Sequence, residues 1–366
     1  MTSGIRCMLM RGGTSKGAYF LASDLPLDTS QRDELLLRVM GSPDPRQIDG
    51  LGGAHPLTSK VAIVQRAASP PADVEFLFAQ VSVDRALVDT TPNCGNILAG
   101  VGPFAIERSL VPASDPVTRV RVRTLNTGTL AELLVSTPDC RVNYQGGESI
   151  AGVPGTAAGI PINFLDVAGS VCGSLFPTGR TVDVIRGVEV TCIDNGMPVV
   201  ILRASDFGFD GGESPANIEA TTIALQHIEA VRREAGERMG MGDVSDAVVP
   251  KVSLISPARN GGTIRTHNLI PRRCHASIGV FAAVSVATAC VAPESWAHRI
   301  ARLPEGNIKR LKIEHPSGEF EVRLEVGGDA EHPTVERAGL VRTARALFDG
   351  VVFPRPEGAV AKAGKS

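Results

Sequence analysis

Two segments of this chain share one construction, and together they limit what it can fold into. Pro92-Asn93-Cys94-Gly95-Asn96-Ile97-Leu98-Ala99-Gly100-Val101-Gly102-Pro103-Phe104 sets a cysteine and Gly-Asn ahead of small and apolar residues. Arg272-Arg273-Cys274-His275-Ala276-Ser277-Ile278-Gly279-Val280-Phe281-Ala282-Ala283-Val284 repeats the plan. A run that is apolar on every side reads as a helix enclosed by protein. Its first turn carries unpaired N–H groups and the positive end of the helix dipole. A carboxylate docked there is held by N–H groups while the thiol acts on the neighbouring carbon. Two such units predict a duplicated architecture with one acid-binding cleft between its halves.

The 366 residues suffice for two domains with buried cores. A formal net charge of −2, no long basic block and only 4% aromatic residues argue against nucleic acid as partner. The seven cysteines are scattered and odd in number, without CxxC spacing, which argues against a disulfide scaffold or zinc ribbon. Free thiols point to a reducing cytoplasm, and Arg11 and Lys16 interrupt the only early apolar stretch that could serve as a signal peptide. The most apolar segment, 276–292, is short for a bilayer span, so no membrane association is expected.

Strands are predicted over 5–10 and 18–21, around the turn Arg11-Gly12-Gly13-Thr14-Ser15-Lys16-Gly17. A helix capped by Thr29 or Ser30 runs to Met40, where Gly41 and Pro43 stop it. Further strands are predicted at 61–64, with Lys60 at the entrance, at 74–83, and at 119–125 and 129–136 on either side of a turn. The chain turns glycine-rich after Asp139, and the main domain crossing is placed there. Strands at 182–185, 188–193 and 199–203 follow, then a surface helix over 218–239 with Ile223, Ile228 and Val231 among its apolar positions. Strands at 252–256 and 263–268 lead to the Cys274 helix, and a hairpin is predicted around Pro316-Ser317-Gly318. Strands flanking one buried helix in each half give an α+β fold with mainly antiparallel strands. No GxGxxG follows a strand, and the GGTSKG turn lacks P-loop spacing, so nucleotide binding is rejected.

Several motifs are jointly specific. The Cys94-Gly95-Asn96 helix start, the Asn195-Gly196-Met197-Pro198 turn and the ending Arg342-Thr343-Ala344-Arg345-Ala346-Leu347-Phe348-Asp349-Gly350-Val351 resemble the diaminopimelate epimerase superfamily. Met10-Arg11-Gly12-Gly13-Thr14-Ser15-Lys16-Gly17, Gly41-Ser42-Pro43-Asp44-Pro45, Gly50-Leu51-Gly52-Gly53-Ala54 and Thr58-Ser59-Lys60 resemble its branch of methylaconitate and oxalomesaconate isomerases. The resemblance covers residues 5 to 354. It implies a diaminopimelate epimerase-like fold of two pseudo-symmetric domains, each with strands wrapped around a central helix. The expected domains are 1–139 with 343–356, and 140–342, followed by a disordered tail over 357–366. The resemblance also implies that Lys60 and Cys94 transfer the proton. One departure is that Cys274 is followed by His275-Ala276-Ser277 rather than Gly-Ser or Gly-Thr, which argues against a symmetric two-thiol racemase.

The implied reaction is an allylic proton shift on an unsaturated tricarboxylic acid, needing no cofactor and no metal. Oxalomesaconate, an intermediate of aromatic-acid breakdown, ranks ahead of methylaconitate, and a non-catalytic polyacid binder is the rival of a different class. To act as a base, Lys60 must have its pKa depressed; the alternative is a solvated strand-end lysine. For Cys94 the alternative is a small core residue. Thr14, Ser15 and Lys16 offer hydroxyl and ammonium donors to a carboxylate, against plain hairpin chemistry. Arg272, Arg273 and His275 can take further carboxylates, against a solvated basic loop. Ser59, Gly95, Asn96, Asn195, Cys274, Ala276 and Ser277 complete the expected substrate-binding set. Asp49 and His55 are too sparse for a metal site. A homodimer is the assembly considered, with oligomeric state left open.

Overall fold

The computed structural model describes residues 4–150, 152–270, 273–329 and 333–357. Arg272 and residues 358–366 of the expected tail lie outside the described residues. The chain forms two compact units, Met1–Asn163 with Val341–Ser366, and Phe164–Leu340.

In the first unit, β1 (Ile5–Gly12) and β2 (Ser15–Leu21) form a hairpin closed by Gly13 and Thr14. Ser15 and Lys16, read from sequence as turn residues, are therefore in the strand. Helix α1 (Thr29–Met40) is capped by Asp28, one residue before the expected cap. The Asp28 carboxylate accepts from the Gln31 N–H at 2.9 Å, and Gly41 closes the helix with a left-handed φ of 80°. Then come β3 (Lys60–Arg66), β4 (Val74–Val81), β5 (Val88–Asp89), α2 (Gly95–Glu107), β6 (Val117–Thr124), β7 (Leu130–Ser136) and β8 (Gly159–Leu165). β2–β3 and β4–β6 are parallel, whereas β1–β2, β3–β4 and β6–β7 are antiparallel.

The alternation of strand side chains serves two layers. Ala18, Phe20, Val61 and Ile63 join Leu36 and Met40 of α1 in one cluster. Tyr19 points the other way, and its hydroxyl donates to the Ile97 carbonyl of α2 at 2.6 Å. Helix α2 touches β1, β2, β3, β4, β6 and β7, and every residue from Ile97 to Ala105 is buried. Burying Ile97, Leu98, Val101 and Phe104 contributes about 1.5–3 kcal/mol each. This is the enclosed helix the sequence predicts.

The second unit contains β9 (Asp183–Ile185), β10 (Val188–Asp194), β11 (Pro198–Arg203), α3 (Pro215–Ala220), α4 (Thr222–Arg238), β12 (Lys251–Ser256), β13 (Ile264–Ile270) and β14 (Arg273–Cys274). α5 (Val280–Val291), α6 (Trp296–Ile300), β15 (Ile308–His315) and β16 (Gly318–Gly328) follow, and β17 (Pro333–Val352) leads back to the first unit, where it pairs with β1. Helix α5 is buried from Ala282 to Val291 and touches β10, β11, β12, β15 and β16. On the opposite side, Ile218, Ile228, Val231 and Ala235 of α3 and α4 pack with Val190, Leu202 and Leu254 of the strands. No helix among the described residues is long and apolar enough to cross a membrane.

Three expectations change. The helix predicted over 218–239 is broken at Thr221, whose ψ of 73° is not helical. The break rephases the helix and leaves Ile223 84% exposed. Cys274 does not start a helix. It belongs to β14, paired with Leu269, and α5 begins six residues later behind Gly279. The chain crosses between units inside β8, at Asn163/Phe164, and returns inside β17, at Leu340/Val341, rather than near 139 and 343. The glycine-rich stretch stays with the first unit because backbone hydrogen bonds stitch it there: Asn143 donates to Ser136, and Ala158 to Tyr144.

Candidate active site

Lys60 opens β3, and its register decides where the ammonium goes. It lies beside Gly17 of β2 and opposite Gln80 of β4, so it shares the sheet face of Tyr19, which contacts α2. The side chain is only 8% exposed. Its Nζ donates to Gln80 Oε1 at 2.5 Å and sits 5.0 Å from the centre of the Phe78 ring. Burial lowers the Lys60 pKa, and a thiolate at Cys94 would pull it back up. No carboxylate bonds to this ammonium among the described residues.

Cys94 is the N-cap of α2, half-buried, and makes no capping hydrogen bond with its side chain. The first N–H groups of the helix are therefore not capped by the thiol. The hairpin Gly12-Gly13 presses against this end. A Cβ on Gly13 would lie 2.1 Å from Asn96 Oδ1, and one on Gly12 would lie 2.4 Å from the Asn96 carbonyl. Only glycine permits that approach. Asn96 Nδ2 donates to Thr14 Oγ1 at 3.0 Å, which ties the hairpin tip to the helix start that carries Cys94 and Gly95.

The strand period separates the other hairpin residues. Ser15 is 2% exposed, and its Oγ has no partner. It is the kind of orphan buried hydroxyl that a bound ligand satisfies. Lys16 is on the opposite face of β2, and a Cβ on Gly53 would lie 3.5 Å from its Nζ. Ser59 is fully buried and turned into the protein. Its Oγ donates to the Val81 carbonyl at 2.9 Å and accepts from Gln47 Nε2 at 2.7 Å. The Ser59 hydroxyl therefore braces the loop before Lys60 and is not available to substrate.

Two glutamines escaped the sequence reading. Gln47 also donates to Ser42 Oγ and accepts from the Ala54 N–H. Gln80 donates through Nε2 to the carbonyls of Pro56, at 3.0 Å, and Ser59, at 2.9 Å. The only available signal was a lone glutamine at the end of an apolar strand, and it acquires meaning once the β3–β4 register is known.

In the second unit the expected residues are used differently. Asn195 is buried and donates through Nδ2 to Thr288 Oγ1 inside α5 at 2.9 Å. It fixes the turn against the helix, so its side chain is structural. Burial, with Glu219 nearby, pushes the Cys274 thiol up to about 11, which does not favour a thiolate nucleophile or base. Its backbone N–H donates to Glu219 Oε1. His275 Nδ1 accepts from the Ser277 N–H at 2.8 Å, and burial, then Lys251, lowers its pKa. Ser277 Oγ lies 3.3 Å from His315 Nε2. Arg273 and Ala276 are exposed.

A cavity of about 510 Å³ in the first unit is lined by Arg11, Tyr144, Thr343 and Arg345 among others. Neither Lys60 nor Cys94 is among its lining residues. Among the described residues no group of three or more His, Cys, Asp or Glu side chains is placed to hold a metal.

The chain is similar to known proteins over nearly its whole length. The chain is 57% identical over 348 residues to 4-oxalomesaconate tautomerase of Pseudomonas putida, covering 95% of each chain. It is 56% identical over 347 residues to (4E)-oxalomesaconate Delta-isomerase of a Novosphingobium species, covering 95% of this chain and 96% of that one. The crystal structure of a methylitaconate-delta-isomerase matches with a TM-score of 0.83 at 34% identity, over 100% of this chain and 98% of that one. The family model described as PrpF protein matches residues 2–355, and the chain belongs to the PrpF family.

Proposed function

We propose that this protein is a cofactor-independent isomerase that shifts a proton along the allylic system of 4-oxalomesaconate. The observation that carries the reading is the buried Lys60, its pKa lowered by burial, on the same sheet face as the Cys94 end of α2. A neutral Lys60 amine takes the carbon-bound proton, and the C–H electrons pass into a dienolate. The N–H groups at the start of α2 stabilise the developing oxyanion. Cys94 returns a proton at the other end of the conjugated system, and the proton taken by Lys60 then passes to the Cys94 thiolate, directly or through solvent, which restores both groups. No electrons enter or leave, so the reaction needs no redox cofactor.

The substrate assignment rests on the two relatives named for oxalomesaconate. On this reading the protein works in the cytoplasm, in the breakdown of aromatic acids such as gallate or protocatechuate. Its ligand is a small unsaturated tricarboxylic acid. The test is proton exchange in D₂O followed by NMR, with 4-oxalomesaconate, 2-methylaconitate and diaminopimelate offered separately. Fastest turnover of oxalomesaconate is expected. Lys60→Ala should lose about 10²–10⁴-fold, the usual contribution of a positioned acid–base group. Faster turnover of methylaconitate would reassign the substrate. Exchange with none of the three from folded protein would leave a polyacid binder.

A further inference from the structure

The Gln80 amide has one orientation available to it. Both of its N–H donors are engaged, one toward the Pro56 carbonyl and one toward the Ser59 carbonyl. An amide has a single acceptor atom, and lysine offers only donors. The oxygen is therefore the atom held against Lys60 Nζ, at 2.5 Å. The Ser59 carbonyl that holds Gln80 is itself fixed. Val81 N–H donates to the Ser59 carbonyl, and the Ser59 hydroxyl is clamped between Gln47 and Val81.

Resting on the reading of Lys60 as the base, we propose that Gln80 is the positioning residue that aims it. A neutral amine has two N–H bonds and one lone pair in a roughly tetrahedral arrangement. With one N–H donated to Gln80 Oε1, the lone pair is directed away from β4 rather than toward the sheet. The side chain can then neither rotate freely nor turn its basic electron pair into the protein. Orientation of this kind belongs to the large geometric part of enzymatic rate enhancement. Gln80 is neutral, so it performs this role without the charge that a carboxylate would add. An aspartate or glutamate in its place would stabilise the ammonium and silence the base near neutral pH. Gln80 does not touch the reacting atoms and acts through Lys60.

Two variants test the assignment. Gln80→Met keeps the length of the side chain and removes the acceptor. Its kcat should fall about 10–100-fold with KM within about threefold, since a misdirected base affects the chemical step. Gln80→Glu places a carboxylate at the ammonium. The acid limb of the kcat/KM profile should move to higher pH by about one to three units. Lys60 can be followed without any turnover, because the chain has only seven lysines and ¹⁵Nζ-labelled protein resolves them by NMR. Its titration should move upward by the same amount in Gln80→Glu. Thermal melts of both variants report whether they fold. A folded Gln80→Met with wild-type kcat overturns the proposal, as does a folded Gln80→Glu in which the Lys60 titration stays put. If oxalomesaconate is not the substrate, the NMR titration still moves while the assay is silent, so the two failures are distinguishable.

Discussion

Gly17 lies against the Lys60 backbone and Ile97 of α2, and filling it should displace the lysine. It pairs with Lys60 across the parallel β2–β3 register. A Cβ built there would lie 2.7 Å from the Lys60 carbonyl oxygen and 3.1 Å from Ile97 Cδ1 of α2. The isoleucine methyl can swing aside. The Lys60 carbonyl is main chain in a three-strand stretch of sheet and cannot. The 2.7 Å approach is 0.7 Å short of ordinary contact at 3.4 Å, so Gly17→Ala must push the Lys60 backbone from its place by several tenths of an ångström. Misplacement on the order of 1 Å at a reacting group costs about 10²-fold in rate. We therefore expect kcat for oxalomesaconate to fall about 10–100-fold. Overpacking should also lower stability by about 1–3 kcal/mol, read as a lower urea midpoint. Gly147→Ala is the control, because a Cβ there meets nothing within 4 Å. Wild-type kcat and wild-type midpoint in Gly17→Ala would refute the claim that β2 sets the position of Lys60.

The same fold implies two further outcomes. Cys94, half-buried at an uncapped helix start, should be alkylated by iodoacetamide faster than fully buried Cys290, and a bound tricarboxylate should protect it; slow labelling insensitive to ligand would make the thiol structural. Glu314 is 1% exposed; burial alone would raise its pKa, but the N–H groups of Arg259, Gly262 and Asn260, with Arg265, outweigh burial and hold it below its ordinary 4.5. A depressed carboxyl stabilises the fold above that ordinary value and loses its contribution as pH falls through the folded one, so Glu314→Gln should cost about 2–4 kcal/mol at pH 7, with the gap in urea melts closing toward pH 3. A gap that does not change with pH would contradict this.

What could be read from the residues follows from what is local. The α2 helix, the Gly41 stop after α1 and the strands β3 and β4 were legible because their signals are apolar periodicity and backbone-permissive residues within one element. Lys60 and Cys94 were legible as a motif. Gln80 was not, because its role depends on a strand register that joins it to Lys60 from twenty residues away. Gln47 was hidden for the same reason, being tied to Ser59 across a loop. Cys274 shows the opposite error. Its segment looks like that of Cys94, but the Ser277 N–H turns back onto His275 Nδ1, and the turn delays the helix to Val280. Ile223 was misplaced by a single non-helical residue at Thr221, which changes the phase of everything after it.

The two enclosed helices therefore begin with different chemistry, and the difference bears on mechanism. Helix α2 starts on a thiol with a buried lysine on the neighbouring sheet face. Helix α5 starts on Gly279, with its nearest upstream thiol in a strand and pushed up to about 11. A racemase that must take a proton from either face of one carbon gains from two like groups of similar pKa. An allylic shift removes a proton from one atom and delivers it to a different one, so its acid and base need not match. An amine lowered by burial and a thiol at a positive helix end differ in charge type: the amine gains a positive charge when it takes a proton, and the thiol gains a negative one when it gives its proton up. On the proposed mechanism each step leaves a charged group: the donors of the helix end face the thiolate, and the Gln80 carbonyl accepts from the ammonium. The asymmetry of the two helix starts fits a proton moved along a substrate rather than across it.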